Sequence, residues 1–332
     1  MQDHLHQQSL PSEPGLDEIR QYLSERSNKE YVEKRLHIEQ SIEVVHQDEH
    51  GTLWKKFNST RWRVNQILKF SLLANRGKRN ALALKLTHNN IHLTDLPDKL
   101  NGIKILHLSD LHIESINGLV DNVIDTIRSL QPELTVITGD FRARTFGSVQ
   151  PSLLMMSRIR QAINGDCFAV LGNHDSIRMM PALESMRIQV LLNESVNLVI
   201  NNQRVSIIGV DDPSHYQCDN LRLALGAANL TATKPELTIF LAHSPDCIDE
   251  ASQAGLDIYF CGHTHGGQIC LPGGRPLHKW LDKKWRYCSG RWKKANTCGY
   301  TSRGVGTSIA PARFNCPPEI TLHTLHQETV KD

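Results

Sequence analysis

The 332-residue chain holds no run of about 18 uncharged apolar residues, which excludes a membrane-spanning helix. Its first ten residues lack a basic region followed by an apolar core, so no signal peptide is expected and a cytoplasmic location is. Cysteine is absent before Cys167, and the eight cysteines, Cys167 included, are irregularly spaced with no C-x-x-C pair. That argues against a disulfide framework and a zinc-thiolate site, and cysteines such as Cys261, set inside apolar runs, read as buried reduced thiols. No internal repeat or low-complexity tract appears. No base- or sugar-reading motif is present either, and no specific nucleic-acid partner is predicted. Acid is missing locally. Residues 51–80 carry eight bases and no acid, whereas residues 1–50 carry a net charge of −6, an asymmetry hidden in the formal +2 of the whole chain. Adjacent blocks of opposite sign imply mutual contact or separate partners.

What is present divides near residue 81. Residues 15–46 have helical apolar spacing, with Ser27-Asn28-Lys29-Glu30 as a capping box and Tyr31, Ile38, Ile42 and Val45 on one face. Residues 53–74 repeat the helical pattern with Trp54, Phe57, Trp62, Ile67, Leu68 and Phe70 among basic residues, and Asn75 to Arg79 reads as a turn. Residues 1–80 are therefore expected to form a helical extension, acidic then basic, ahead of a large domain over 81–332. The basic segment either lies on an anionic membrane surface, peripherally on the inner face, or packs on the large domain under cover of the acidic block. Removing residues 1–80 is expected to leave turnover of a soluble diester intact and to reduce sedimentation with anionic vesicles.

Inside the large domain one arrangement recurs five times. An apolar run ends in metal-ligand side chains at Asp110-Leu111-His112, at Asp140, at Asn173-His174-Asp175, at His243 and at His263-Thr264-His265. Each run has the length of a buried strand, and residues 119–130, closed by Pro132, supply an intervening helix. Strand, ligand turn, helix, strand is the α/β signature, and ligands of such sheets gather beyond the carboxyl ends of the strands. The five turns are thus expected to converge.

Oxygen donors mixed with imidazoles suit Mn, Fe or Zn better than calcium. Seven donors, Asp110, His112, Asp140, Asn173, His243, His263 and His265, exceed the needs of one ion. Two divalent ions about 3.5 to 4 Å apart account for them, with Asp140 as the shared ligand. Such a pair implies hydrolysis at phosphorus by metal-activated hydroxide, without a protein nucleophile.

These five ordered motifs resemble those of the calcineurin-like metallophosphoesterases. The string from Gly262 through His263, Thr264, His265, Gly266 and Gly267 to Gln268, with Ser302 to Gly306 and Pro317 to Ile320 further on, is similar to a bacterial, often membrane-associated subgroup that includes UDP-2,3-diacylglucosamine pyrophosphohydrolases. The resemblance covers residues 81–326. It implies a two-sheet mixed β-sandwich flanked by helices, with Asp110, His112, Asp140 and His265 on one metal and Asp140, Asn173, His243 and His263 on the other. By the same resemblance His174 stands over the scissile phosphate as an acid or charge stabiliser. Asp175 is expected to cap the next helix, and Arg303, beside Gly304, to approach a phosphate. The substrate expected is a phosphodiester or pyrophosphate, lipid- or nucleotide-linked, with UDP-2,3-diacylglucosamine the named candidate. A nuclease or cyclic-nucleotide phosphodiesterase is the alternative. A non-catalytic binding protein with structural metals is the alternative of another class.

Overall fold

The computed structural model describes residues 12–48, 60–227, 234–277 and 285–328. Two six-stranded mixed sheets lie face to face. The first runs in the order β1-β14-β2-β3-β4-β5, from β1 (Lys85–Leu93), β2 (Lys104–Leu108), β3 (Leu134–Thr138), β4 (Asp166–Val170), β5 (Gln189–Val190) and β14 (Glu319–Gln327). The second runs β12-β13-β9-β8-β7-β6, from β6 (Glu194–Ile200), β7 (Gln203–Gly209), β8 (Leu237–Leu241), β9 (Ile258–Cys261), β12 (Gly290–Lys294) and β13 (Thr297–Thr301). A small hairpin of β10 (Cys270–Leu271) and β11 (Arg275–Pro276) stands apart. The two-sheet mixed sandwich expected from the resemblance is the fold observed.

Strand periodicity explains the layers. Side chains alternate across each strand, so Ile105, Leu134, Val136, Ile239 and Leu241 fill the space between the sheets while Leu106, Leu108 and Ile137 meet helices outside. Those outer helices include α5 (Leu119–Ile127) and α6 (Gln150–Ala162). Strands β2, β3, β4, β8 and β9 are the five apolar runs read from the sequence. Within each sheet they run parallel, so their carboxyl ends share one edge.

The amino-terminal residues form α1 (Leu16–Leu23), α2 (Lys29–Asp48), α3 (Thr60–Phe70) and α4 (Ala74–Leu82). Asn28 starts α2, its Oδ1 accepting from the Tyr31 amide at 2.8 Å. Ile19, Leu23, Val32 and Leu36 from α1 and α2 belong to the same apolar cluster as Leu106, Leu108 and Ile137. These two helices are therefore built into the large domain's core, and the expectation that turnover survives loss of residues 1–80 is replaced by the opposite one. Asn75 to Arg79, read as a turn, lies inside α4. The glycine that suggested a turn serves close packing instead, since a Cβ on Gly77 would come within 2.6 Å of the Ala312 Cβ. The basic stretch read over 53–74 is described from residue 60. Leu68 there is buried with Ala310 and Ala312, whereas Ile67, Phe70 and Leu72 face outward.

Candidate metal centre

The turns after β2, β3, β4, β8 and β9 bring all seven predicted donors to one place. Asp110, His112, Asp140 and His265 are buried, and each offers a ligand atom within 4.8 Å of the others. His112 Nε2 lies 3.1 Å from His265 Nε2 and 3.4 Å from Asp140 Oδ2, and His265 Nε2 lies 3.4 Å from Asp110 Oδ1. Beside this group stands a second. The Asn173 Oδ1 is 3.0 Å from His243 Nε2 and 2.8 Å from His263 Nδ1, and those two ring nitrogens are 3.2 Å apart. Asp140 Oδ2 is also 3.4 Å from His243 Nε2, so one carboxylate faces both groups.

Backbone contacts orient the rings. His112 Nδ1 donates to the Arg142 carbonyl at 2.9 Å and His243 Nδ1 to the Thr138 carbonyl at 2.8 Å. These bonds place a ring hydrogen on Nδ1 and turn Nε2 inward, where a neutral imidazole presents its lone pair to a metal. Inward ring nitrogens beside carboxylate oxygens are a donor set that fits divalent metal. Arg313, fully buried, directs its shortest bonds to the carbonyls of Gly306 (2.6 Å) and Arg303 (2.7 Å) and holds His265 from behind by a 3.3 Å contact at Nδ1.

Protonation follows the same logic. Burial opposes the charge of Asp140, yet His243 and then His174 beside it hold its carboxyl well below the usual range. Burial, with His112 and Arg313 adding to it, drives His265 well below the ordinary imidazole value. A metal ligand must be an ionised carboxylate or a neutral imidazole, and Asp140 and His265 already meet that condition. At His243 burial lowers the pKa but Asp140 outweighs it and holds the ring well above the ordinary imidazole value, so metal binding there displaces a proton.

The local backbone is strained where the donors sit. Asp110, His112, Asp140, His263 and His265 all have positive φ, between 38° and 71°. A non-glycine residue there costs about 1 to 3 kcal/mol and persists only where the surroundings over-determine it. Two glycines make the convergence sterically feasible. Gly139 has φ 82°, and a Cβ on it would stand 2.6 Å from the Gly172 amide nitrogen. A Cβ on Gly262 would collide with Ser109 Oγ and Asp110 Oδ2.

His174 borders the pair of groups. Its ring meets that of His112 edge-on at 4.9 Å, its amide donates to Asp140 Oδ1 at 2.8 Å, and its Nδ1 is buried with no hydrogen-bond partner among the described residues. Burial takes its pKa down to about 3, against the pull of Asp140. Asp175, expected to cap a helix, instead accepts from the amides of Asp140 (2.7 Å), Phe141 (2.9 Å) and Gly172 (2.9 Å) and so staples two ligand turns together. Ser176 makes the capping bond in its place, accepting from the Arg178 amide. Arg303 is paired with Glu319 through its guanidinium, and the Glu319 carboxylate also takes the Arg303 amide at 2.9 Å.

Some residues at this edge escaped the sequence reading. Asp211 and Asp212 follow β7 at the same structural address as the donors, a signal of the same kind as the other five. Asp212 caps the turn after it through the amides of His215 and Tyr216. Asp211 is engaged by Arg35 of α2.

Comparison with known proteins agrees with this geometry. The sequence model of the family described as calcineurin-like phosphoesterase matches residues 103–267. The chain is 30% identical over 239 residues to the phosphodiesterase YaeI of Escherichia coli, covering 68% of this chain and 83% of that protein. It is 28% identical over 252 residues to the uncharacterized metallophosphoesterase YkuE of Bacillus subtilis, covering 73% and 85% respectively. It is 26% identical over 305 residues to the UDP-2,3-diacylglucosamine pyrophosphatase LpxG of Chlamydia trachomatis, covering 72% and 88%.

Proposed function

The chain belongs to the calcineurin-like phosphoesterases, metal-dependent hydrolases, and on that footing we propose that it cleaves a phosphodiester or pyrophosphate bond with two divalent ions, Mn, Fe or Zn. Asp110, His112, Asp140 and His265 would hold one ion, and Asp140, Asn173, His243 and His263 the other. The observation that carries this reading is the position of Asp140 Oδ2, 3.4 Å from both His112 Nε2 and His243 Nε2. Bound there, the ions would lower the pKa of a water and offset negative charge developing on the phosphate.

The protein's own side chains do the rest. His112 and His243 turn Nε2 toward the ions' place because backbone carbonyls hold their outer nitrogens. His174, whose buried Nδ1 has no partner among the described residues, stabilises the departing oxygen as a hydrogen-bond donor, or gives it a proton once the charge of a bound phosphate offsets the burial that lowers its pKa. Arg303 joins as a substrate contact by exchanging Glu319 for a phosphate.

The names of YaeI and LpxG support a phosphodiester or a UDP-linked lipid pyrophosphate as substrate. Incubating the manganese-loaded protein separately with bis-p-nitrophenyl phosphate, UDP-2,3-diacylglucosamine, cyclic nucleotides and RNA tests this choice. The expected result is turnover of the first two, abolished by a chelator. Turnover of RNA or cyclic nucleotide alone would reassign the substrate, and turnover of none would remove the activity.

The same reading gives the basic segment 53–74 a place on anionic membrane, from the cytoplasmic side. Ile67, Phe70 and Leu72, 66%, 81% and 88% exposed, beside Lys69 support it, since apolar side chains next to cations suit a lipid interface. Replacing Phe70 and Leu72 by serine is expected to cut cosedimentation with phosphatidylserine vesicles without changing turnover of a soluble diester. Undiminished cosedimentation would remove the membrane role.

A further inference from the structure

The Asn173-His174 turn is gripped from outside by a helix that precedes the family-matched segment 103–267. Three successive turns of α2 address it along one face. Arg35 Nη2 donates to the Asp175 carbonyl at 3.2 Å. Glu39 accepts from the Ile177 amide and the Ser176 hydroxyl, both at 2.7 Å. Glu43 pairs with Arg178 at 2.7 Å. Arg35 is itself fixed from three sides, by Glu39 at 2.5 Å, by Asp211 at 3.0 Å and by the Tyr216 ring, whose centroid lies 3.2 Å from its guanidinium carbon. Tyr31 donates to the same Asp211 at 2.7 Å.

Arg35 and Asp211 are fully buried, and Glu39 is nearly so. Removing such charges from water is costly, and apolar side chains of similar volume stabilise a fold as well or better. What the charged triad adds is direction, because each bond to the backbone or hydroxyl of residues 175–177 has a defined geometry. Those residues follow His174 immediately. On the other side, the Arg142 Nε donates to the His174 carbonyl at 2.6 Å, so the turn is held from both flanks. Leu36, in contrast, lies on the apolar face of α2 and contributes packing alone.

We propose that α2 is part of the active site's supporting structure, with Arg35 and Glu39 as positioning residues that set the His174 imidazole against the leaving group. This rests on the role assigned to His174 above. Misplacing a reacting group by about 1 Å costs on the order of a hundredfold in rate, and loss of one of several tethers is expected to cost on the order of tenfold.

The test uses Glu39→Ala, Glu39→Gln, Leu36→Ala and His174→Ala in the full chain, each also assayed for metal content and melting temperature. Glu39→Ala is expected to lower kcat on the order of tenfold with KM and metal content unchanged. The loss should be larger for a phenyl diester than for a nitrophenyl one, because the poorer leaving group depends more on His174. Glu39→Gln, which keeps an acceptor for the Ile177 amide, should recover most of the rate. Leu36→Ala should lower the melting temperature at least as far without that dependence on leaving group. Combined with His174→Ala, Glu39→Ala should cause no further loss.

A Glu39→Ala loss that persists in full without His174, or that Leu36→Ala reproduces for both diesters, overturns the proposal and leaves the metal chemistry standing. Full turnover by His174→Ala alone overturns the assigned role of His174 and this inference with it.

Discussion

Asp140→Ala is expected to abolish metal-stimulated hydrolysis of bis-p-nitrophenyl phosphate, by at least roughly a thousandfold, while the protein stays folded. Among the described residues Asp140 is the side chain whose carboxylate faces both donor groups, so its loss would remove a ligand from each proposed ion at once. Folding should survive. The carboxylate's contacts with His243 and the His174 amide are lost at some cost in stability, but the Asp140 amide keeps its bond to Asp175, which holds the turn. Relief of positive φ is not part of the effect, because alanine is no freer there than aspartate. Retained turnover in a folded Asp140→Ala protein would exclude the bridging role.

Deletion of residues 1–48 should have an equally large effect on stability. Ile19, Leu23, Val32 and Leu36 are at most 4% exposed, and burying such side chains contributes about 1.5 to 3 kcal/mol each. Four of them amount to roughly 6 to 12 kcal/mol before discounting for residual compactness of the unfolded chain, comparable to the whole stability of a domain at about 5 to 15 kcal/mol. The deletion also strands Asp211, buried and parted from Arg35, at a further cost of about 3 to 5 kcal/mol. The expected result is a truncated chain without a cooperative thermal transition. A truncated protein that melts cooperatively and turns over soluble diester at the full rate would show that α1 and α2 are dispensable after all.

The sequence made the site legible because its donors share one structural address. Each follows an apolar run of strand length, and strands of one orientation deliver their ends to one edge, so Asp110, Asp140, Asn173, His243 and His265 could be assembled before any coordinates. The same pattern after β7 marked Asp211 and Asp212 equally well, but neither resembled a motif. Other features were hidden for physical reasons. Arg35 and Glu39 look like any i, i+4 surface pair on a charged helix, and only the fold reveals that they are buried and reach residues 175–177. Asp175 stands at the head of a helical turn, where capping is the ordinary use of aspartate. Its carboxylate serves instead across chain neighbours 33 to 35 positions away. Asn75 to Arg79 carries turn-forming residues, and the close approach of Gly77 to Ala312 that makes a helix workable there joins segments more than two hundred residues apart. The insertion of β14 between β1 and β2 is likewise a long-range pairing that local periodicity does not encode.

The central claim is that two ions share Asp140, and electron paramagnetic resonance of the manganese-loaded protein tests it most directly. Two ions bridged by one carboxylate couple magnetically, so the account predicts the multiline spectrum of an exchange-coupled manganese pair, lost in Asp140→Ala. A six-line spectrum of isolated manganese in the intact, fully loaded protein would contradict it.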